Sequence, residues 1–386
     1  MIQEQTFKNK NKIYRQQLTQ CKRIVVKVGT RLLVDGRGRL NRVRINALVV
    51  ELAKLHKSGK QIVFVTSGAV GAGLSLLGLK ARPKEIPNLQ MAAAVGQTRL
   101  IKLYYDLFQE QRCDISQVLL THADLKHRGR HLNARNTMLN LLNHHVIPIV
   151  NENDVVTVDE LRFGDNDMLS ALVTALIDAD LLILLTSPNG LQKFLLNQKM
   201  KRVPYIEKID STIESLVQPN ADQLSLGGMA SKLQAAELAA KTGAQVIIAS
   251  GKQKNILEHL LKGDDFGTLI GKQAEILDKR KRWISFFHRS QGTLFVDSGA
   301  RQALQARGKS LLPSGIKKVE GNFTSGSLIN IATEEGKIIG HGLSEYSRHE
   351  IEKIMGKQTQ EIFSILPEAV REEVIHRDNM IIFPSE

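Results

Sequence analysis

Val146-Ile147-Pro148-Ile149-Val150-Asn151-Glu152-Asn153-Asp154, followed about ten residues on by Gly164-Asp165-Asn166-Asp167-Met168-Leu169-Ser170, is the stretch that decides how this chain is read. Its apolar start reads as a buried strand, and Leu169 to Leu176 as a buried helix with an Asp, Asn or Ser cap. Between them lie two clusters of carboxylates and carboxamides, too polar for a core. A polar cluster at a strand's C-terminal end, with another at the next helix's N-terminus, is where open α/β sheets place ligands. Helix-end N–H groups favour anions, and Asn and Asp side chains can orient an ammonium group. The expected ligand is therefore small and zwitterionic or acidic. A pair of Asx turns is the plain alternative, which explains one cluster more easily than two.

Outward from this stretch, strands and helices alternate. Ile24 to Val28 is an apolar strand broken by Lys27 and ending in Gly29-Thr30. Lys27 either meets an anion, which a close-approaching Gly29 N–H would share, or points to solvent from an edge strand. A helix from Arg42 to Ser58 carries Val43, Leu48, Val49, Leu52 and Leu55 at helical spacing and stops at Gly59. The strand Gln61 to Val65 runs into Thr66-Ser67-Gly68-Ala69-Val70-Gly71-Ala72-Gly73, a small-residue helix entry that exposes N–H groups but has no P-loop lysine. Helices at about Leu89 to Gln109 and Asn133 to Asn143 flank a strand at Ser116 to Thr121. Beyond the opening stretch, Leu181 to Thr186 is a buried strand closed by Ser187-Pro188-Asn189-Gly190. Leu226-Gly227-Gly228-Met229-Ala230-Ser231-Lys232 opens an Ala-rich helix ending at Lys241, before a strand at Ala244 to Ala249. A glycine pair and a lysine at a helix start suit a phosphate oxygen, although a first-turn lysine also occurs on plain surfaces. This alternation predicts an α/β fold with a mostly parallel sheet covered on both faces.

Texture changes at Lys279-Arg280-Lys281-Arg282-Trp283. Short Gly-punctuated runs follow at Gly292 to Val296, Ser310 to Pro313, Ile316 to Val319, Ser327 to Ile331 and Lys337 to Gly342, and predict a small β-rich domain. Helices at His349 to Met355 and Ser364 to His376 close the chain. The expected organisation is a basic N-terminal extension (1–22), an α/β domain (23–272), a basic linker (273–290) and a β-rich domain (291–386). Lys8-Asn9-Lys10-Asn11-Lys12 in the first segment is expected to fray or be disordered.

Composition narrows the function classes. At 386 residues and 42% hydrophobic, the chain holds ample core for two domains. Cys21 and Cys113 suggest neither a disulfide framework nor a zinc site, and a reducing cytoplasm fits. The strongest apolar run, Leu181 to Leu185, is too short for a bilayer. The net charge of +14 invites a nucleic-acid reading, but residues 273 to 386 hold sixteen Lys/Arg against fifteen acids. That is a thin footprint for phosphate contacts. Much of the excess surrounds the candidate site, as suits a phosphate-handling enzyme.

Taken in order, Lys27-Val28-Gly29-Thr30, Thr66-Ser67-Gly68-Ala69, Ala94-Val95-Gly96-Gln97, Asn151-Glu152-Asn153-Asp154, Gly164-Asp165-Asn166-Asp167 and Gly227-Gly228-Met229-Ala230-Ser231-Lys232 resemble the glutamate 5-kinases of the amino-acid kinase family. Gly299-Ala300, Ser310 to Ile316 and Gly321-Asn322-Phe323 are similar to the PUA domain attached to many bacterial members. The resemblance implies a three-layer αβα sandwich with a PUA-like domain. It implies that ATP and Mg²⁺ phosphorylate the γ-carboxylate of L-glutamate, the first step toward proline, with proline as feedback inhibitor. By matching positions, Lys27 and Lys232 would neutralise the transferring phosphoryl group, and Asp165 or Asp167 would organise the site or its metal. Ser67, Gly68, Asn151, Asp154 and Asn166 would hold glutamate. Gly29, Thr30, Thr186, Ser187 and Leu226 to Lys232 would face the nucleotide. No protein ligand to a metal is assigned, Mg²⁺ being carried mainly by ATP. A homo-oligomer, a glutamyl phosphate reductase partner and a cytoplasmic location are further implications.

The sequence departs from the family where an Asp is usual at Ser187, a Thr at Leu226, and an acidic, Pro-containing loop at Gly190 to Phe194. All three fall on the nucleotide side. The rival readings are another small-acid kinase of the same fold, a catalytically silent relative, and an RNA binder acting through the C-terminal domain.

Overall fold

The computed structural model describes residues 2–35, 39–79, 81–126, 128–156, 166–194, 200–216, 228–272, 290–367 and 371–383. Two compact units divide the chain, Met1–Ile276 and Leu277–Glu386.

The first unit is built on an eight-stranded sheet. In chain order the elements are α1 (Ile2–Gln17), β1 (Arg23–Val28), α2 (Thr30–Leu33), α3 (Arg42–Lys57), β2 (Gln61–Val65), α4 (Ala69–Leu76), α5 (Ile86–Glu110), β3 (Ile115–Leu120), α6 (His122–Lys126), α7 (Arg128–Asn143), β4 (Ile147–Glu152), α8 (Asn166–Leu176) and β5 (Leu181–Thr186). Then come β6 (Gln192–Phe194), β7 (Met200–Arg202), β8 (Tyr205–Ile206), α9 (Ser211–Ser215), α10 (Met229–Lys241), β9 (Gln245–Ser250), α11 (Ile256–Lys262) and β10 (Thr268–Ile270). The strand order is β3-β4-β2-β1-β5-β9-β10-β8. Every neighbouring pair is parallel except β9 and β10. The α/β reading with a mostly parallel sheet is what the structure contains.

Successive residues of β1 face opposite sides of the sheet. Ile24, Val26 and Val28 join a core with Ile45 and Leu48 of α3, Leu100 and Tyr104 of α5, and Leu257 of α11. Val25 and Lys27 face the other side, where α8 lies on β1 and α10 on α8 and β9. Helices thus cover both faces, which makes the three layers. The chain leaves β1 towards β2, β4 and β3, then returns to β5 on β1's other flank. That reversal opens a crevice at the C-terminal ends of β1 and β5.

Two local features set this crevice. Arg23 donates to the Ile177 carbonyl, and Arg135 to the Leu176 carbonyl and to Asp178 at 2.7 Å. Cations therefore anchor α8 where its dipole is negative, away from the site. At the other flank α4 and α5 touch backbone to backbone. A Cβ added to Gly96 would lie 1.8 Å from the Ala69 carbonyl oxygen, and one on Gly73 1.8 Å from that of Ala92.

The second unit has a five-stranded sheet of β11 (Gly292–Val296), β12 (Ile316–Gly321), β13 (Leu328–Thr333), β14 (Ile338–Leu343) and β15 (Met380–Ile382), in the order β12-β11-β13-β14-β15. Its core includes Leu294, Ile316, Ile329, Ile351 and Ile375.

Several expectations need correction. Residues 8–12 belong to α1 rather than to a fraying tail, and Lys10 pairs with Glu207 at 2.5 Å. Val43 is 83% exposed, and Ile45 takes the inward position on α3. A helix that the strand-and-turn reading of this region did not include runs over Ser298–Arg307 (α12), capped by Asp297, whose side chain accepts from the Ala300 N–H. α13 is Arg348–Ile354, and α14, at Thr359–Ile365, ends well before His376, where the chain bridges Leu311 to Ile375 instead. Most of the 273–290 linker lies outside the described residues.

The Gly96 contact leaves no room for a methyl group unless the helices part. Gly96→Ala is expected to lower unfolding free energy by at least about 2 kcal/mol. Val95→Ala, one residue away and partly exposed, should stay within about 0.5 kcal/mol. Chemical denaturation of both variants tests this, and equal stabilities would contradict the close packing.

Candidate active site

Most of the residues singled out in the sequence converge at the C-terminal ends of β1, β2 and β4. The centre is Asp167, one residue into α8 and 0% exposed. Its Oδ1 is 2.5 Å from Lys27 Nζ and its Oδ2 2.8 Å from Lys232 Nζ. Lys27 comes from the last turn of β1's pleat and Lys232 from the first turn of α10, so strand and two helices meet at one carboxylate. Ser231 Oγ adds a donor to Oδ2 at 3.3 Å. Burial alone would raise the Asp167 pKa, but the two ammonium groups overcome it and hold the carboxyl well below its ordinary range. Two lysines against one carboxylate leave the cluster a net positive charge. The Lys27 ammonium curls over its strand's end: a Cβ on Gly29 would be 3.9 Å from Nζ, and Gly29 N–H donates to the Leu185 carbonyl at 3.2 Å.

Asn166, the neighbour in α8, organises a second network. Its Nδ2 donates to the Thr66 carbonyl at 2.7 Å, Asn151 Oδ1 at 2.9 Å and Ser67 Oγ at 3.1 Å. A backbone carbonyl can only accept, so this contact sets the amide orientation. Asn151 must then donate through Nδ2 to Gln97 Oε1, at 2.8 Å, leaving the Gln97 amide end as a donor. Thr66 is held in turn by the buried Tyr104 hydroxyl at 2.7 Å. Asn166 Oδ1 is buried without a hydrogen-bond partner, an acceptor suited to a ligand N–H.

Gly68 follows at φ +95°, a conformation that favours glycine, and starts α4 without a side-chain cap. The first-turn N–H groups of α4 therefore remain donors without an intrahelical partner. Gly228 starts α10 in the same uncapped way, from extended backbone. Asp154 stands beyond β4. Burial, with help from the nearby Glu152 charge, pushes its pKa up to about 6, and Arg82 only partly opposes this. Glu152 is buried and 3.7 Å from His122 Nδ1. The arrangement can present donors to a carboxylate, acceptors to an ammonium group and two lysines to a phosphoryl group.

The structure thus joins Lys27, Asp167, Ser231 and Lys232 in one cluster, and Ser67, Asn151 and Asn166 in the next, with Gly68 following Ser67 in the chain; Asp154, three residues past Asn151, has Glu152 and Arg82 as its charged neighbours. Thr186 ends β5 and Ser187 follows it, on the strand that pairs with β1 and so beside Gly29 and Thr30, while Met229 and Ala230 form the first turn of α10. Asp165, Leu226 and Gly227 lie outside the described residues. Gln97 and Tyr104 were missed as site residues. Gln97 stood inside a quoted motif, whereas nothing about Tyr104 in the sequence separates it from core aromatics.

Comparisons with known proteins follow the same division. The amino acid kinase family profile matches residues 22–250, and the PUA domain profile residues 292–366. A glutamate 5-kinase of Moorella thermoacetica is 44% identical over 367 residues, covering 95% of this chain and 97% of the relative. One from Syntrophotalea carbinolica is 43% identical, covering 95% and 98%. Among solved structures, carbamate kinase from Giardia lamblia bound to AMP-PNP aligns at a TM-score of 0.47 and 18% identity, over 66% of this chain and 100% of that one.

The raised pKa of Asp154 makes a pH prediction. Its stabilising contribution is full below the ordinary value of 3.8 and is lost as pH rises through about 6. Asp154→Asn removes a half-buried, poorly compensated charge and should stabilise the ligand-free protein at pH 7.5 by on the order of 1–2 kcal/mol. The gain should shrink towards pH 4. Thermal unfolding at both pH values checks this, and a destabilised variant at pH 7.5 would contradict it.

Proposed function

Because the chain belongs to the amino acid kinase family, we propose that it transfers the γ-phosphoryl group of ATP to the γ-carboxylate of L-glutamate, giving ADP and L-glutamyl 5-phosphate. The observation that carries this reading is the Lys27–Asp167–Lys232 cluster directly beside the Asn166 network. Both substrates are anionic. Catalysis of their encounter consists of positioning and charge compensation, with no covalent intermediate on the protein.

A glutamate oxygen attacks the γ-phosphorus as the bond to the β,γ-bridging oxygen breaks, and ADP leaves with that electron pair. The nucleophile is already a carboxylate, so no strong general base is needed. Lys27 and Lys232 approach the transferring group from opposite sides, and Asp167 holds both at fixed spacing without cancelling their charge. Asp154 and Asn166 Oδ1 suit the α-ammonium group. The α4 N-terminus and Gln97 suit a carboxylate. Uncapped Gly228 at the start of α10, with Gly29, Thr30, Thr186 and Ser187, forms the nucleotide side. Among the described residues no group of three or more His, Cys, Asp or Glu could hold a metal ion. Mg²⁺, as the family resemblance implies, would be carried mainly by the nucleotide phosphates and would neutralise charge there.

The product is a reactive acyl phosphate that a glutamyl phosphate reductase would consume. On this reading the enzyme would take the first step of proline synthesis, be inhibited by proline, and act in the cytoplasm as a homo-oligomer. No helix among the described residues is long and apolar enough to cross a membrane. The RNA reading gains little from the second unit. Its cavity of about 670 Å³ sets Lys309 and Arg377 against Asp297 and Glu373, a balance that favours no polyanion.

The test is ADP release with ATP, Mg²⁺ and L-glutamate, trapping acyl phosphate as hydroxamate and running N-acetylglutamate and aspartate in parallel. Glutamate-dependent hydroxamate is expected, and its absence would reject the proposal. Lys232→Ala should cut kcat by about a hundredfold or more while changing glutamate affinity less than about threefold. Near-normal turnover would remove Lys232 from the mechanism. Millimolar proline should lower the wild-type rate, and equal rates with and without it would exclude feedback inhibition.

A further inference from the structure

Among the described residues three lysine or arginine side chains are buried: Lys27, Lys232 and Arg15. The first two form the site. Arg15 lies on α1, in the segment whose composition suggests a tail, yet it is 2% exposed. A buried guanidinium persists only where its donors are satisfied. Here all five are engaged. Nε donates to Asn11 Oδ1 at 2.9 Å, Nη1 to the Asp264 and Phe266 carbonyls at 2.9 Å each, and Nη2 to the Pro204 and Gly267 carbonyls at 3.1 and 3.2 Å. Asp265 Oδ1, 3.1 Å from Nη2, offsets the charge.

Four of these acceptors are backbone carbonyls around β8 and the turn before β10. Gly267 sits at their centre with φ +64°, where a Cβ would lie 2.4 Å from the Ile248 carbonyl oxygen. Its N–H donates to Asn189 Oδ1 at 3.0 Å. Gly190, at φ +83°, lies so close that a Cβ would be 2.4 Å from Thr268 Oγ1. The same Oγ1 accepts from Leu191 N–H at 2.8 Å and donates to the Val203 carbonyl at 2.6 Å. The loop leaving β5 therefore rests on a floor of Gly267 and Thr268, and Arg15 ties that floor together from the far side.

We propose that Arg15 is a positioning residue for nucleotide binding: through Gly267 and Asn189 it sets the height of the Thr186–Gly190 loop at the mouth of the crevice. The assignment rests on the kinase reading, which puts Thr186 and Ser187 on the nucleotide side. The glutamate network hangs on β2, β4 and α8, and shares none of these hydrogen bonds. Nucleotide and glutamate affinity should consequently separate. A lysine in place of Arg15 keeps the charge but offers three donors from one point, so it cannot bind all four carbonyls of the two chain segments at once.

The experiment compares wild type, Arg15→Lys, Asn189→Ala and the double variant, all full length. Calorimetry with AMP-PNP and, separately, with L-glutamate gives both affinities, and steady-state rates give KM for ATP and for glutamate. Arg15→Lys should weaken AMP-PNP binding and raise KM for ATP about five- to tenfold, with glutamate values within about twofold. Asn189→Ala, which changes an exposed side chain, should shift the same nucleotide parameters in the same direction. The double variant should lose less than the product of the single effects, because both act along one path. Parallel losses for both ligands, or unchanged nucleotide affinity in Asn189→Ala, would overturn the proposal, and the second test holds even if Arg15→Lys does not fold. A wild type that binds AMP-PNP but yields no hydroxamate would reject the glutamate kinase reading alone, while the calorimetric arm still decides the role of Arg15. A wild type that binds no nucleotide would overturn both.

Discussion

A carboxylate with no exposure to water can stay ionised only where neighbouring positive charge outweighs its lost hydration. Asp167 meets that condition through Lys27 and Lys232, and much of the first unit's architecture serves to bring the three together. Lys27 must lie on the sheet face that α8 covers, which sets the orientation of β1. Lys232 must reach the same point, which places the start of α10 against α8. Two arginines hold α8 at its far end, so its first turn is located from both directions. Removing Asp167 would leave two buried ammonium groups without their shared counter-charge, and removing either lysine would take away part of what keeps Asp167 ionised, so the cluster constrains fold and chemistry together.

The second network uses direction rather than charge. The Thr66 carbonyl determines which way Asn166 faces, Asn166 orients Asn151, and Asn151 orients Gln97. Each amide has one orientation compatible with its predecessor, so the donors and acceptors left over form a defined pattern before any ligand arrives. Such preorganisation reduces the cost of ordering on binding. It also depends on α4 and α5 approaching at Gly73 and Gly96, because Ser67 and Gly68 lead directly into α4.

The proposed nucleotide side is built differently. Its departures from the family pattern at Ser187 and Gly190 to Phe194 coincide with a compact support made of backbone groups. Gly190 and Gly267 pack at distances that exclude a side chain, and Leu191 is buried. An apolar residue in that loop is thus explained by packing. The absence of an Asp at Ser187 has no structural explanation here.

Much of the sheet was legible in the chain itself. Ile24 to Val28 and Leu181 to Leu185 are too uniformly apolar for anything but buried strands, and their alternation with amphipathic helices implies parallel pairing. The polar clusters at 151–154 and 166–167 stood out too, but Asn151, Glu152, Asn166 and Asp167 are buried rather than kept out of the interior, because charged and amide partners offset their lost hydration. What the sequence could not convey is carried by groups that have no residue identity. Arg15 reads as one more charge in a basic tail until backbone carbonyls of residues 204, 264, 266 and 267 are assembled around it. Gly96 reads as a weak point in a helix until the Ala69 carbonyl arrives within a methyl's radius. Patterns of side chains determine which segments are strands and helices and which residues are too polar to bury alone. Only tertiary structure decides which main-chain groups they meet, because every residue has the same carbonyl and its position depends on the whole fold.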